Sequence, residues 1–216
     1  MPPELDRDRW HPPLLEGRTV SLRRHRPENL PAVLRWYRDP EVARLTRYQV
    51  RPMTSDEVET FFRARLLAAD SLAYAIHERQ TGRLIGLTTF SALDADNGSA
   101  LFHITIGEHD AWGHGYGTEA VDLMLAHGFA GLGLHRIALS VFAFNERAVR
   151  AYRKAGFRLE GRLREAIWRD GRYWDELQMG ILADEWRLSG ATASQATEAA
   201  PHTLEAGAAA VIGSEP

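Results

Sequence analysis

Seven consecutive residues, Trp112-Gly113-His114-Gly115-Tyr116-Gly117-Thr118, carry the clearest chemistry in this chain. Three alternating glycines remove Cβ atoms, so backbone N–H groups can approach a ligand closely. The segment follows an apolar strand pattern, Leu101-Phe102-His103-Ile104-Thr105-Ile106. It leads into a helix whose apolar stripe is Val121, Met124, Leu125 and Phe129. The start of a helix presents free N–H groups and the positive end of a dipole, a setting that suits a phosphate. A tight turn needing positive φ accounts for the same glycines without any ligand. Two nucleotide patterns fail here. The dinucleotide fingerprint fails because the third glycine falls two positions after the second. The Walker pattern fails because no Gly-Lys-Ser/Thr follows. What remains is a phosphate cradle of another kind.

A second signal lies further along. Asn145-Glu146-Arg147-Ala148-Val149-Arg150-Ala151-Tyr152-Arg153-Lys154-Ala155-Gly156-Phe157 holds an Asn cap, a Tyr two turns on, and a Gly-Phe exit. A capped amphipathic helix with Ala148, Tyr152 and Ala155 inward explains the pattern. Such a helix can still present one tyrosine to a ligand.

The elements that must position these residues follow from periodicity and turn chemistry. Thr19-Val20-Ser21-Leu22-Arg23 reads as a strand, and Pro27 opens a helix carrying Leu30, Val33, Leu34 and Tyr37. Thr54 and Glu57 have capping-box spacing, with Met53 and Val58 as a staple. Val58, Phe61, Phe62, Leu66 and Ala69 continue that helix. Leu72, Tyr74 and Ile76 alternate; residues 84–90 and 101–106 supply two further strands. After the glycine-rich turn and its helix come a strand at 136–142, the Asn145 helix, and strands at 159–168 and 173–181. Asp170-Gly171 between the last two is a hairpin signal. The order β-α-α-β-β-β-α-β-α-β-β points to an α+β sheet of mixed direction.

Composition sets the bounds. The 216 residues are 44% hydrophobic and 25% charged, with a net charge of −3. One sizeable domain fits this, and no global charge argues for nucleic acid. Cysteine is absent, which removes disulfides, thiolate metal sites and a cysteine nucleophile. No stretch approaches the roughly 20 apolar residues of a membrane span. The opening residues lack the basic and apolar regions of a signal peptide, so a cytoplasmic protein is expected. Residues 1–13, with four prolines, read as a loose N-terminal arm. Residues 14–188 read as the folded domain, and the Ala/Gly/Ser/Thr/Glu-rich residues 189–216 as a disordered tail.

Together the two signals resemble the GNAT family of N-acetyltransferases. Trp112-Gly113-His114-Gly115-Tyr116-Gly117 matches the glycines of the family motif Q/R-x-x-G-x-G/A, with Trp112 in place of Gln or Arg. The run from Trp112 to Ala120, and the run from Asn145 to Phe157, are similar to the ribosomal-protein N-acetyltransferase-like branch. The closing Glu160-Gly161-Arg162-Leu163-Arg164 and Asp170-Gly171-Arg172-Tyr173-Trp174-Asp175 also look like that branch. The resemblance implies the GNAT fold: a central mixed, mostly antiparallel twisted sheet of about seven strands, flanked by about four helices. It implies acetyl-CoA as cosubstrate, a primary amine as acceptor, and no metal. Relatives often pair through sheet edges or the terminal hairpin, so it also implies a candidate homodimer.

The resemblance assigns roles residue by residue. Trp112, Gly113, His114, Gly115, Tyr116, Gly117 and Thr118 form the pyrophosphate cradle. The backbone of Ile104, Thr105 and Ile106 lies beside pantetheine and thioester. Asn145 and Ala148 are further cofactor contacts, and Tyr152 takes the general-acid position. The base is less defined. Many relatives carry a glutamate early in the central strand, where this chain has Leu101. His103, two residues on, titrates in the useful range; Glu41, Asp175 and a water chain are further candidates. The first expectation for the acceptor is a protein N-terminal α-amine or a related small amine. Polyamine or antibiotic acetylation is the runner-up, with Asp39, Glu41, Asp56 and Glu57 as acids that could meet a polycation, although helix starts also favour such acids. The same motifs would also serve a succinyl donor, or a CoA sensor without turnover.

Overall fold

Alternation of apolar side chains builds the centre of the sheet. Val20, Leu22, Leu72, Tyr74 and Ile76 are all buried, as a strand covered on its core face requires. The structure is a computed structural model and describes residues 10–49, 51–68 and 71–188. Its strands are β1 (Leu14–Glu16), β2 (Val20–Arg24), β3 (Leu72–Glu78), β4 (Leu84–Asp94), β5 (Ser99–Ile106), β6 (Arg136–Phe142), β7 (Arg158–Arg169) and β8 (Arg172–Leu182). They form one sheet in the order β1-β2-β3-β4-β5-β6-β8-β7. Only β5 and β6 run parallel; every other described neighbour pair is antiparallel.

The helices are α1 (Leu30–Tyr37), α2 (Pro40–Thr46), α3 (Ser55–Phe61), α4 (Tyr116–Ala126), α5 (Glu146–Lys154) and α6 (Ala183–Leu188). The capping box of α3 forms: the Glu57 N–H donates to Thr54 Oγ1 at 3.3 Å, and the Thr54 N–H donates to Glu57 Oε2 at 2.8 Å. Both α3 and α4 run on into π turns, Phe62–Leu66 and His127–Gly131. Two apolar cores flank the sheet. Val121, Met124, Leu125, Val149 and Tyr152 of α4 and α5 join the larger one, with Phe102, Leu139 and Met179 of the sheet. Val33, Trp36, Val58 and Phe62 of α1 and α3 join the smaller one, with Ala73 and Leu87.

The GNAT architecture expected from the sequence is present, with eight strands and six helices among the described residues rather than seven and four. The extra strand is β1, a short edge piece whose three residues show no alternation in sequence. The extra helices are α2, cut from α1 by Asp39-Pro40, and the short α6. Asp39 Oδ1 accepts from the N–H groups of Glu41 and Val42 at 2.8 and 3.0 Å, so a new helix starts there. The loose arm expected over residues 1–13 is anchored where it is described. His11 is 1% exposed, its Nε2 lies 3.2 Å from the Ala73 carbonyl oxygen, and its ring meets Tyr74 edge-on. Residues 1–9, and the tail expected over 189–216, lie outside the described residues.

The pairing of β5 with β6 sets up the site. These two strands pair only through Ser99↔Arg136, Ala100↔Ile137 and Leu101↔Ala138. Beyond Leu101, β5 stays with β4 as far as Ile106↔Gly86. β6 stays with β8 as far as Phe142↔Glu176. The sheet therefore opens into a wedge toward the C-terminal ends of both strands.

Candidate active site

The glycine-rich turn sits at the mouth of that wedge. Gly113 and Gly115 have φ of 82° and 85°, values that cost a residue with a Cβ about 1–2 kcal/mol. A Cβ at either position would meet nothing within 4 Å. Backbone conformation, not crowding, therefore requires the two glycines. At Gly117 a Cβ would lie 3.5 Å from Ile106 Cγ1, an ordinary contact. No neighbour forbids a side chain there, so its absence leaves the start of α4 open to the cavity. The first N–H groups of α4 have no partner inside the helix. Trp112 fixes the entry to the turn: its Nε1–H donates to the Ile106 carbonyl at 2.8 Å. Its ring stacks on His109 at 4.2 Å, and the Arg147 guanidinium lies over it at 4.0 Å.

A cavity of about 1210 Å³ runs through the wedge. From the turn it is lined by Trp112, Gly113, Gly115, Gly117 and Thr118; from β5 by His103, Ile104, Thr105 and Ile106; and from the α5 segment by Asn145, Ala148 and Tyr152. Twelve of the fourteen residues expected at the site thus share one wall system. His114 and Tyr116 do not. The Tyr116 hydroxyl is turned onto Glu78 Oε1 at 2.5 Å, and its ring stacks on His114. Both expectations took the turn as a continuous run, whereas alternate residues of a helix entry face different ways.

Tyr152 is 8% exposed and is held by edge contacts with Phe102 and Phe157. Its hydroxyl has no hydrogen-bond partner among the described residues, and burial pushes the phenol pKa up. The group is therefore a protonated donor at neutral pH. Asn145 acts as the cap of α5: its Oδ1 accepts from the Ala148 N–H at 3.3 Å. Its amide Nδ2 donates to the Leu45 carbonyl at 3.4 Å, which ties α5 to the end of α2.

The candidate bases separate. His103 lines the cavity, with Nε2 2.7 Å from Ser91 Oγ, and desolvation lowers its pKa. Leu101 presents only an apolar surface, 43% exposed. Glu41 is absent from the lining and reaches Arg44. Asp175 holds the terminal hairpin: it accepts from the Glu165 N–H at 2.9 Å and from Arg162 at 2.7 Å. Those bonds, the backbone one first, hold its carboxyl below the ordinary range. Asp39 and Glu57 are occupied as helix caps. Glu176 is the acid that sequence reasoning missed. It lines the cavity at 3% exposure, and Tyr48 donates its hydroxyl to Oε1 at 2.5 Å. No motif marks it; it falls inside an apolar-looking hairpin strand.

A sequence model described as an acetyltransferase (GNAT) domain matches residues 19–158. The chain belongs to the GNAT family. The uncharacterised N-acetyltransferase YoaA of Bacillus subtilis is 31% identical to this GNAT protein over 169 residues, covering 76% of this chain and 93% of that protein. The spermidine N(1)-acetyltransferase of Vibrio cholerae is 32% identical over 132 residues, covering 61% of this chain and 75% of that one. A solved structure of spermidine N-acetyltransferase from Vibrio cholerae, in complex with CoA and spermine, superposes with a TM-score of 0.70 at 25% identity. It covers 78% of this chain and 98% of its own. This GNAT member is an acyl-CoA-dependent N-acyltransferase that uses acetyl-CoA to acetylate an amine. The matches carry the family rather than the ribosomal-protein branch that its motifs resemble.

Proposed function

We propose that the acceptor is a single primary amine, with the α-amine of a protein N-terminus as the best-fitting class. The observation behind this is the charge of the cavity wall. Among the described lining residues, Glu176 is the only carboxylate, and outside the α5 segment Arg47 and Arg65 are cationic. A polyamine brings several ammonium groups, and like charges across an interface repel. Of the four acids that could meet a polycation, Asp39 and Glu57 are spent on helix caps, Glu41 reaches Arg44, and none of the four, Asp56 included, lines the cavity. An α-amine, with a reference pKa near 7.7–8.0, also needs less help to lose its proton than an alkylamine near 10.4.

The donor end follows from the same residues. The turn amides at the start of α4 hold the pyrophosphate, with Arg147, Arg150 and Lys154 of the α5 segment supplying positive field. The free edge of β5 beyond Leu101 offers backbone groups to pantetheine. Acetyl-CoA supplies the activated thioester carbonyl. The Tyr152 hydroxyl protonates the departing sulfur. The second reading, polyamine acetylation, is favoured by the relatives named spermidine N(1)-acetyltransferases.

The test is a thiol-release assay with mass detection, using acetyl- and succinyl-CoA against peptides with free N-termini, small monoamines and spermidine. Peptide α-amines are expected to exceed spermidine in kcat/KM by about tenfold, or 1.4 kcal/mol of transition-state binding. A preference of that size for spermidine would install the second reading instead.

A further inference from the structure

The glutamate that many relatives carry on the central strand is Leu101 here, and the register of the sheet shows where another carboxylate enters the wedge. Residues directly opposite one another, and alternate residues along a strand, share a face. Leu101 lies opposite Ala138. Ala138, Ser140 and Phe142 lie opposite Gly180, Gln178 and Glu176. Leu101, His103, Thr105 and Glu176 therefore project from one face, on two sides of the wedge. Tyr152 reaches the wedge from the other face, where it packs on Phe102. A donor threaded between β5 and β6 meets the phenol from one side and the carboxylate from the other.

The surroundings of Glu176 fit a group awaiting a ligand. It is almost completely buried, yet Tyr48 is its one hydrogen-bond partner among the described residues. A buried carboxylate with so little compensation is costly unless a cation or further donors complete it. The nearby cation does not do so. Arg169 donates to the carbonyls of Arg47, Tyr48 and Trp168 instead. Those bonds pin the Tyr48 segment to the hairpin and aim the phenol at the acid. Tyr48 is 64% exposed overall, so it closes the pair from the solvent side while its hydroxyl reaches inward. Desolvation, then the bond and charge of Glu176, raise that hydroxyl's pKa to about 12, which keeps it a donor.

We propose that Glu176 is a catalytic residue that receives the acceptor amine, its free carboxylate oxygen accepting an amine N–H and then the proton. This rests on the single-amine reading above. As the nitrogen lone pair forms the C–N bond to the thioester carbonyl carbon, the amine proton passes to Glu176. The C–S bond breaks, and its electron pair, on sulfur, takes the Tyr152 proton. Buffer then restores both groups. β8 thus supplies the carboxylate that Leu101 does not. Tyr48 acts as a positioning residue.

The experiment compares wild type with Glu176→Gln, which keeps the side-chain volume and the acceptor for Tyr48. Three readings are taken: amine kcat/KM with the best acceptor of the panel, CoA affinity by calorimetry, and melting temperature. The expected result is a loss of about a hundredfold in kcat/KM, with CoA affinity within about twofold of wild type. Activity within about threefold of wild type overturns the proposal. If Glu176→Gln fails to fold, seen as lost CoA binding, wild type decides through two dead-end inhibitors. These are the N,N-dimethyl form of the best acceptor, which stays cationic, and its desamino form, which is neutral. Tighter binding of the cation by about tenfold supports the proposal, and equal binding overturns it. Absence of any wild-type turnover across the panel defeats the single-amine reading itself, a distinct outcome.

Discussion

In the proposed mechanism Tyr152 offers a proton and Glu176 takes one, and both side chains are buried. The Tyr152 phenol has no hydrogen-bond partner among the described residues, and desolvation raises its pKa, so it stays protonated. A donor of that kind suits a thiolate leaving group, whose reference pKa is near 8.5. Replacing Tyr152 by Phe removes one oxygen from a site packed by Phe102 and Phe157. Turnover is expected to fall by about a hundredfold with CoA affinity unchanged, read by steady-state kinetics and calorimetry. An unchanged kcat would remove Tyr152 from the mechanism. Tyr152 was legible in the sequence because a capped helix fixes its position relative to Asn145. Glu176 was not. Its significance depends on two strand pairings and on a hydroxyl 128 positions away in the chain, and periodicity within one strand carries neither.

The element proposed to make the donor site is the β5–turn–α4 unit, and its three glycines differ in backbone conformation. Gly113 and Gly115 sit at positive φ; Gly117 lies within α4, where a helical residue is at home. The sequence showed the glycines and their strand-to-helix setting, but not this division, which depends on φ and on which way each missing Cβ would point. Gly115→Ala is expected to destabilise the fold by about 1–2 kcal/mol and to weaken CoA binding. Gly117→Ala is expected to split the two properties. A helical Ala in place of Gly raises stability by about 0.5 kcal/mol, while the added methyl faces the cavity and weakens CoA binding. Thermal melts with CoA titrations check both variants. CoA affinity preserved in Gly117→Ala would place the pyrophosphate away from this turn. The wedge itself was not legible, since nothing in β5 or β6 alone announces where their pairing stops.

At the scale of the molecule, two cores on opposite faces of one sheet each hold a histidine that burial keeps neutral. His127 sits in the π turn after α4, its Nε2 3.4 Å from the Tyr74 hydroxyl oxygen. His25 meets the Phe62 ring edge-on on the other side. Desolvation is the leading cause in both, and lowers each pKa from 6.5 to about 4; His11 adds to it at His127, and His77 at His25. Below pH 6.5 the unfolded chain takes up these protons while the folded chain does not, so the unfolded state gains. The stabilising contribution is complete above pH 6.5 and is lost as pH falls from there to about 4. At about 1.4 kcal/mol per unit, each histidine accounts for about 3 kcal/mol across that window. Urea unfolding at pH 7 and at pH 5 is therefore expected to show a marked loss of stability at the lower pH. His127→Gln, neutral at both, should shrink the difference between the two pH values even if it lowers stability at pH 7. An unaltered pH difference in that variant would mean that His127 takes up its proton as readily in the folded protein as in the unfolded chain.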